Sequence, residues 1–586
     1  MHATYPLLDP ETLGTSNGRR GFAAWMHVSD AVAGPRRYVH RASSGLVLYD
    51  GTAVDPSGRI AGHDAGALEQ HWSSLDEHLE GRFTALRIDE RAGTLEVVND
   101  PFGVHQTFVY RSGTTWWIAN SVRLLVRVAG VASIDLAGMA QCIGMYWPGG
   151  DRTLIEGITA FPAGSRWRWT EAASPERTTH APLGDFARSP KRSFDGRRAA
   201  DLAESLGRQL DVLGKTYASL QCPITAGRDS RVLTALMVAG GVPGEYFTAG
   251  DPDSRDVVVG GEIARRLGLP HTRVGGSGDE MADAWDTLSR QVVRQHDGMV
   301  TLAHARNALL RPAHLERVIV QLYGAGGERG RGKLLTESFV VRPTLAAALA
   351  LTLGKYDRGG SLLRPEARQV VREHIERTCR DLHDRGFAPA DVPDAFVAAE
   401  HNRRWVGSQA RQIVDHKDVV IPFVTRPYMR AAFATPAVER LMERVPYNLL
   451  RHLSPELHAM PFQRAWPPQD LGRLALGHAW DVGMRLKDRL RRRNGAAGAV
   501  LPGRKNDRLV VMERLRTRWR EQYLDRQGSS LWQLLDRERF EFLTSDRCTP
   551  KLRAHHLGVL FQAVTALAYE EDIEAWVGAP PLLVAT

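Results

Sequence analysis

The segment PITAGRDSRVLTAL (223–236) holds the residue types that bind phosphate and a divalent cation. An apolar run ends at Ile224, six short or polar residues follow, and apolar residues at helical spacing resume near Arg231. The pattern predicts a strand, a tight turn over Thr225, Ala226, Gly227, Arg228, Asp229 and Ser230, and then a helix. A helix N-terminus presents unpaired N–H groups and the positive end of the macrodipole, which suits a phosphate. Small side chains let the backbone come close, and Thr225 and Ser230 add hydroxyl donors. Asp229 offers a hard oxygen to magnesium, which offsets the carboxylate's own repulsion of phosphate. No GK[ST] is present, so the Walker pattern is excluded. The same residues also suit a plain helix N-cap. Arg228 and Arg231 flank the turn and either bind phosphate or carboxylate, or simply solvate the loop.

The elements that must position this turn read as follows. The helix over 197–217 places Leu202, Leu206, Leu210 and Leu213 along one stripe. Strands are expected at 219–224, 245–250 and 316–324, and helices at 231–241 and 256–269. Strand and helix alternating at this spacing predict a parallel sheet. Beyond about residue 335 the chain reads as mostly helical, broken at 421–423 and 461–468. The first 170 residues are different: 46–51, 82–89, 94–100, 106–111 and 115–121 read as short strands rich in Val, Thr, Phe, Tyr and Trp. An α+β or β-sandwich-type domain is expected there. Residues 171–196 are poor in large apolar side chains and read as an exposed linker.

Composition narrows the function classes. The chain has 586 residues, 43% apolar and 24% charged, which excludes a wholly disordered protein. Its net charge of +9 is spread along the chain, either as a solubilising surface or toward an acidic partner. The four cysteines, Cys142, Cys222, Cys379 and Cys548, form no CxxC pair, which excludes a disulfide scaffold and the usual structural zinc patterns. No run reaches the roughly 20 apolar residues of a membrane span, and the N-terminus does not read as a secretory signal. A cytoplasmic protein is expected. The basic segment MRLKDRLRRR (484–493) is either a solvated helical face or a surface for an acidic peptide; without interleaved aromatics or a known motif, nucleic acid is not expected as a partner.

The TAGRDS turn resembles the SGGxDS pyrophosphate loop of the N-type ATP pyrophosphatases, and more closely that of the asparagine synthetase superfamily. EYFTAGDPDSRDVVVGGEIARRLGLPH (245–271) resembles the strand and Leu-Gly…His helix that follow it there. LYGAGGERGRGK (322–333) resembles the family's G-E-G-x-D-E landmark, and IPFVTR (421–426) its VPFLDR. EGRFTALRIDERAGTLEVVNDPFGVHQTFVY (80–110), WWIANSVRLLV (116–126) and RTLIEGITAFPAGSRW (152–167) resemble stretches of its glutaminase half. The resemblance covers both halves, over about 40–470. It implies a glutaminase-like domain over 1–170, the linker over 171–196 and an ATP-pyrophosphatase (synthetase) domain over 197–586. It further implies ATP and Mg2+, with Asp229 and Glu328 catalytic and metal-binding. Thr225, Ala226, Gly227, Ser230, Thr248 and Gly324 would join Asp229 around the nucleotide.

The departures from that pattern sharpen the expectation. His2 stands where the family's glutaminase carries its nucleophilic cysteine, and no cysteine precedes Cys142. Without a thiolate there is no thioester, so glutamine is not expected to supply ammonia. The relatives with a silenced glutaminase, the β-lactam synthetases, carbapenam synthetase and the lasso-peptide macrolactam cyclases, adenylate a carboxylate that an amine of the same molecule attacks. Ala325 stands where asparagine synthetases carry Glu and β-lactam synthetases Tyr. The resemblance thus implies a lasso-peptide cyclase, joining the α-amine of a core peptide to an Asp or Glu side chain. Its partners would be a leader-binding protein and a leader protease. A small-molecule amide synthetase of the β-lactam type and a non-catalytic scaffold are the alternatives. Lys417 and Asp418, just before 421–423, are expected at the surface.

Overall fold

A computed structural model describes residues 39–577, apart from 43–44, 56, 58–60, 63–64, 171–173, 310–319, 361, 415–416, 463–464 and 470–506. His2 and the basic segment 484–493 lie outside the described residues.

The chain is a mixed α/β protein, with antiparallel sheets first, then a parallel sheet, then a largely helical part. The first sheet contains β1 (Val39–Ala42), β2 (Gly45–Val54), β3 (Ala61–Gly62), β4 (Glu80–Asp89) and β5 (Thr94–Asn99). The second contains β6 (Phe108–Ser112), β7 (Thr115–Ala119) and β8 (Thr159–Ala160). The chain then returns to the first sheet with β9 (Ser165–Trp169) and β10 (Glu176–Thr179), giving the order β1-β2-β4-β5-β9-β10 with β3 on β2. Val97, Trp167 and Trp169 of the first sheet cluster with Val109, Trp116 and Ile118 of the second. Trp116 meets Trp167 edge-on at 5.8 Å. This face-to-face packing of alternating inward residues fits the sandwich expectation.

The segment expected to be a linker contains β10, paired with β9, and the buried Phe186 and Phe194. Composition hid this because two phenylalanines in 26 residues suffice to anchor a segment. Phe194 packs under the helix Gly196–Thr216, whose Leu202, Leu206, Leu210 and Leu213 are buried together with Leu220 and Leu233. Each such leucine contributes about 1.5–3 kcal/mol on burial.

The parallel sheet comprises β11 (Leu220–Pro223), β12 (Gly244–Ala249), β13 (His271–Val274), β14 (Val320–Leu322) and β15 (Asp418–Val420), in the order β13-β12-β11-β14-β15. All four pairings are parallel. From β11 the chain builds outward through β12 and β13, then crosses to the other side of β11 for β14 and β15. The order therefore reverses between β11 and β14, the position at which open α/β sheets take their ligands, at the carboxyl ends of the strands.

Lys417 and Asp418 are buried, not at the surface as their polarity led us to expect. The reason is β15 itself, whose three residues are too few to show a pattern. It begins at Asp418, pairs with β14 and lies against β2 and β4. The following turn is anchored to the first sheet, where the Arg426 N–H donates to Glu80 Oε2 at 3.0 Å. The largest core cluster runs across the halves of the chain. It joins Val122, Leu125, Met139 and Ile143 to Trp285, Trp519 and Leu560–Leu567 of the long C-terminal helix Pro550–Val577. Among the described residues no helix is long and apolar enough to cross a membrane.

Candidate active site

The turn after β11 and the loop after β14 pack against each other at the carboxyl ends of the strands. Gly227 is the N-cap of the helix Arg228–Ala239, which starts three residues earlier than its apolar spacing suggests, and no side chain caps it. The free N–H groups of that first turn are left to a ligand or solvent. The rest of the turn is held from within. The Thr225 and Ser230 hydroxyls lie 2.7 Å apart, the Thr225 N–H donates to Ser230 Oγ at 3.1 Å, and the Gly227 N–H donates to Thr225 Oγ1 at 3.0 Å. The Ala226 N–H donates to Asp256 Oδ1 at 3.1 Å. The expected hydroxyl donors are thus engaged within the turn itself.

Thr248, at the end of β12, is buried and ties this turn down: its hydroxyl donates to the Ile224 carbonyl at 2.6 Å and meets His271 Nε2 at 2.9 Å. Gly324 abuts the turn from the other side; a Cβ there would lie 3.7 Å from the Ser230 nitrogen and from Asp229 Cβ.

Asp229 and Glu328 come together as the spacing alone could not require. Glu328 lies in the single helical turn Gly327–Arg331, and its Oε2 accepts the Gly326 N–H at 3.0 Å. Gly326 adopts φ +96, open to glycine but strained for other residues. Asp229 Oδ2 accepts from Arg331 Nη2 at 2.5 Å. Burial pushes the Asp229 carboxyl up; Arg331 pulls it back, and the nearby Glu328 charge adds to the rise. Burial also acts to raise Glu328, but Arg329, His401 and Arg331 hold it below the ordinary range. The buried Glu328 Oε1 accepts no hydrogen bond.

These two carboxylates fit magnesium, which is commonly held by one or two carboxylates plus substrate phosphates. Among the described residues no group of three or more His, Cys, Asp or Glu forms a protein-only metal cage.

Arg228 binds a carboxylate, but one of the protein's own, and Arg231 is buried against backbone carbonyls and so does not solvate the loop. Arg231 Nη1 donates to the Met460 carbonyl at 3.0 Å and its guanidinium covers the Phe462 ring at 3.7 Å. Arg228 is paired with Glu443 and donates to the Ala465 carbonyl at 2.9 Å. Both are buried and fix the 457–466 segment against the helix. Their Nη donors to fixed carbonyls make these guanidinium groups positional.

Beside Glu328 a cavity of about 370 Å³ opens, which sequence reading missed because its walls come from distant segments. Trp147, Tyr356, His401 and Trp405 supply its aromatic faces. His401 stacks on Trp405 at 4.8 Å, and its Nδ1 lies 3.7 Å from Glu328 Oε1. Burial pushes its imidazole down to about 4, so the ring is neutral at pH 7. Both residues sit on a π-helical stretch, Val397–Val406, a wide-turned geometry that recurs at functional sites. The only sequence signal was the aromatic and charged run HNRRW (401–405).

In the first half, Asp50, His105 and Asn120 converge. Asn120 Nδ2 donates to Asp50 Oδ2 at 2.9 Å, and His105 Nε2 lies 3.0 Å from the same oxygen. All four cysteines of the chain are buried, and burial pushes the Cys142, Cys222 and Cys379 thiols up to about 12. None of those three presents a thiolate at neutral pH.

Compared with known proteins, the chain matches no family model, and no curated protein matches it.

Proposed function

We propose that this protein is an ATP- and magnesium-dependent amide synthetase. It would transfer AMP to a carboxylate with release of pyrophosphate, and an amine of the same molecule would then displace AMP to form the amide. The observation that supports this reading most is that Glu328 lies near enough for its charge to act on Asp229, at the point where the parallel sheet reverses order. The uncapped helix at Arg228 offers N–H groups to the phosphates, and Gly324 leaves room beside them. Asp229 and Glu328 would hold magnesium, which supplies charge stabilisation to the departing pyrophosphate.

The same site favours an intramolecular partner over free ammonia, because the buried thiols leave glutamine without a nucleophile to release it. A macrolactam cyclase acting on a core peptide is the form we favour. Ala325 carries no proton-transferring group of the kind a small-molecule synthetase uses, and a cavity with aromatic walls lies next to Glu328. Such a cyclase would work with a leader-binding protein and a leader protease, in the cytoplasm, on an asparagine-synthetase-like scaffold with a glutaminase-like first domain.

The test is ATP cleavage, with AMP and pyrophosphate resolved from ADP and phosphate, against linear peptides and small amino acids. Peptide-dependent AMP with a product lighter by one water is the expected result. AMP formed only with small carboxylates makes the protein a small-molecule synthetase. Absence of both nucleotide binding and cleavage makes it a scaffold.

A further inference from the structure

The cavity beside Glu328 carries more positive charge than its own carboxylates can use. Lys333, Lys355, Arg358 and Arg508 line it, against the two carboxylates Glu328 and Asp394. Asp394 Oδ2 accepts from the buried Arg440 Nε at 2.9 Å, and Glu328 is countered by the buried Arg329. Among the described residues no ion pair joins either acid to Lys333, Lys355 or Arg358. Among the described residues neither Lys333 nor Lys355 forms an ion pair. The Lys355 ammonium is held below its ordinary range by burial first, then by the like charges of Arg358 and Lys333. Crowded cations in a recess cost free energy unless an anion answers them.

The backbone holds this arrangement against strain. Tyr146 has φ 80, a left-handed conformation that is a genuine outlier for an aromatic residue. There its ring lies 4.7 Å beneath the Arg358 guanidinium, and the Arg358 N–H is tied to the Gly144 carbonyl at 2.9 Å. Strain kept at a recess lined by charge marks a site more often than a packing accident.

Resting on the synthetase reading above, we infer that this cavity is an anion subsite holding a second acidic group of the acyl substrate, one that is not activated. The activated carboxylate has to lie against the phosphates, at the turn that carries Asp229. Asp229 does not line the cavity; of the two site carboxylates only Glu328 does. Lys355 and Arg358 come from elements far along the chain from that turn, so they hold a different group of the same molecule. The aromatic walls take the apolar body between the two acids. At about 370 Å³ the recess fits a short segment or a small molecule.

The test uses the full-length protein and a synthetic pool of random hexapeptides, with peptides retained on equilibrium dialysis identified by mass spectrometry. Peptides with two or more acidic residues are expected at least about threefold above singly acidic ones, the size a few partly exposed ion pairs give. Lys355→Glu and, separately, Lys333→Met, both at exposed positions, should remove that preference without disturbing the fold. Equal retention of singly and doubly acidic peptides, or an unchanged preference in Lys355→Glu, overturns the inference. A repeat with magnesium and a non-hydrolysable ATP analogue separates the two sites. Peptide and nucleotide held together is the expected result. Displacement of the peptides by the nucleotide assigns these cations to the nucleotide and overturns the subsite. Retention of diacidic peptides without any nucleotide binding sinks the synthetase reading and leaves the anion subsite standing.

Discussion

Gly327 lies against the Asp229 carboxylate so closely that a Cβ at position 327 would run into Asp229 Oδ1. The loop after β14 therefore packs on the turn after β11 only because residue 327 has no side chain. Gly327→Ala must push Asp229 or the loop aside. ATP–pyrophosphate exchange is expected to fall at least about tenfold, a loss of about 1.4 kcal/mol in transition-state binding, with an unchanged circular dichroism spectrum. Exchange at the wild-type rate would show that this close approach has no bearing on the site.

Asp229→Asn keeps the volume and removes the charge proposed to hold magnesium. Turnover should drop by at least about a hundredfold, while ATP binding without magnesium changes little. Asn is preferred to Ala here because Asp229 answers Arg331, and truncation would leave that cation unpaired. Full activity in the Asn variant would move the site away from this turn.

Arg231 makes the opposite prediction. Its Nη1 donates to the Leu457 and Met460 carbonyls and its Nη2 to that of Pro461. Arg231→Ala is expected to cost at least about 2 kcal/mol in urea denaturation through the acceptors it leaves unpaired. A stable variant with a raised KM for ATP would instead restore a phosphate-binding role.

His304 gives the pH dependence a sign. Its Nδ1 meets Gln409 Oε1 at 2.7 Å, and burial first, with Arg508 nearby, pushes the imidazole down to about 4. Between the ordinary 6.5 and 4 the unfolded chain binds this proton and the folded chain does not. This contribution to stability is complete above 6.5 and is lost as pH falls toward 4. Wild type should therefore lose roughly 2 kcal/mol more than His304→Gln between about pH 7.5 and about pH 4.5. Parallel urea midpoints across that range would contradict a buried neutral imidazole.

Glutamine with ATP and magnesium should yield no glutamate. Every thiol of the chain is buried, and three are raised to about 12. Steady glutamate release, read with a coupled glutamate dehydrogenase assay, would overturn this.

The local pattern of the chain determined a good deal. Runs of Val, Thr, Phe and Leu bounded by Gly, Asp and Asn marked β4 and β5, because such side chains suit a strand packed in a sheet. The leucine stripe at 202–213 marked the long helix, because it recurs at helical period on the buried face. Gly227, Asp229 and Ser230 marked a turn into a helix, because short polar side chains suit that transition. These signals are local, so a single sequence carries them.

Other features exist only in three dimensions. β13 and β15 are four and three residues long, too short to carry a period, and they form because neighbouring strands hold them. Asp418 is buried in β15, which is covered by strands far away in the chain. Arg228 and Arg231 look like phosphate ligands until the 457–466 segment folds onto them and takes their donors. The cavity walls come from residues between 146 and 558. Residue types and periods determine which elements form and where a turn can receive charge. Which charges are spent inside the protein and which remain for a ligand depends on distances between remote segments, and those are set only when the core closes.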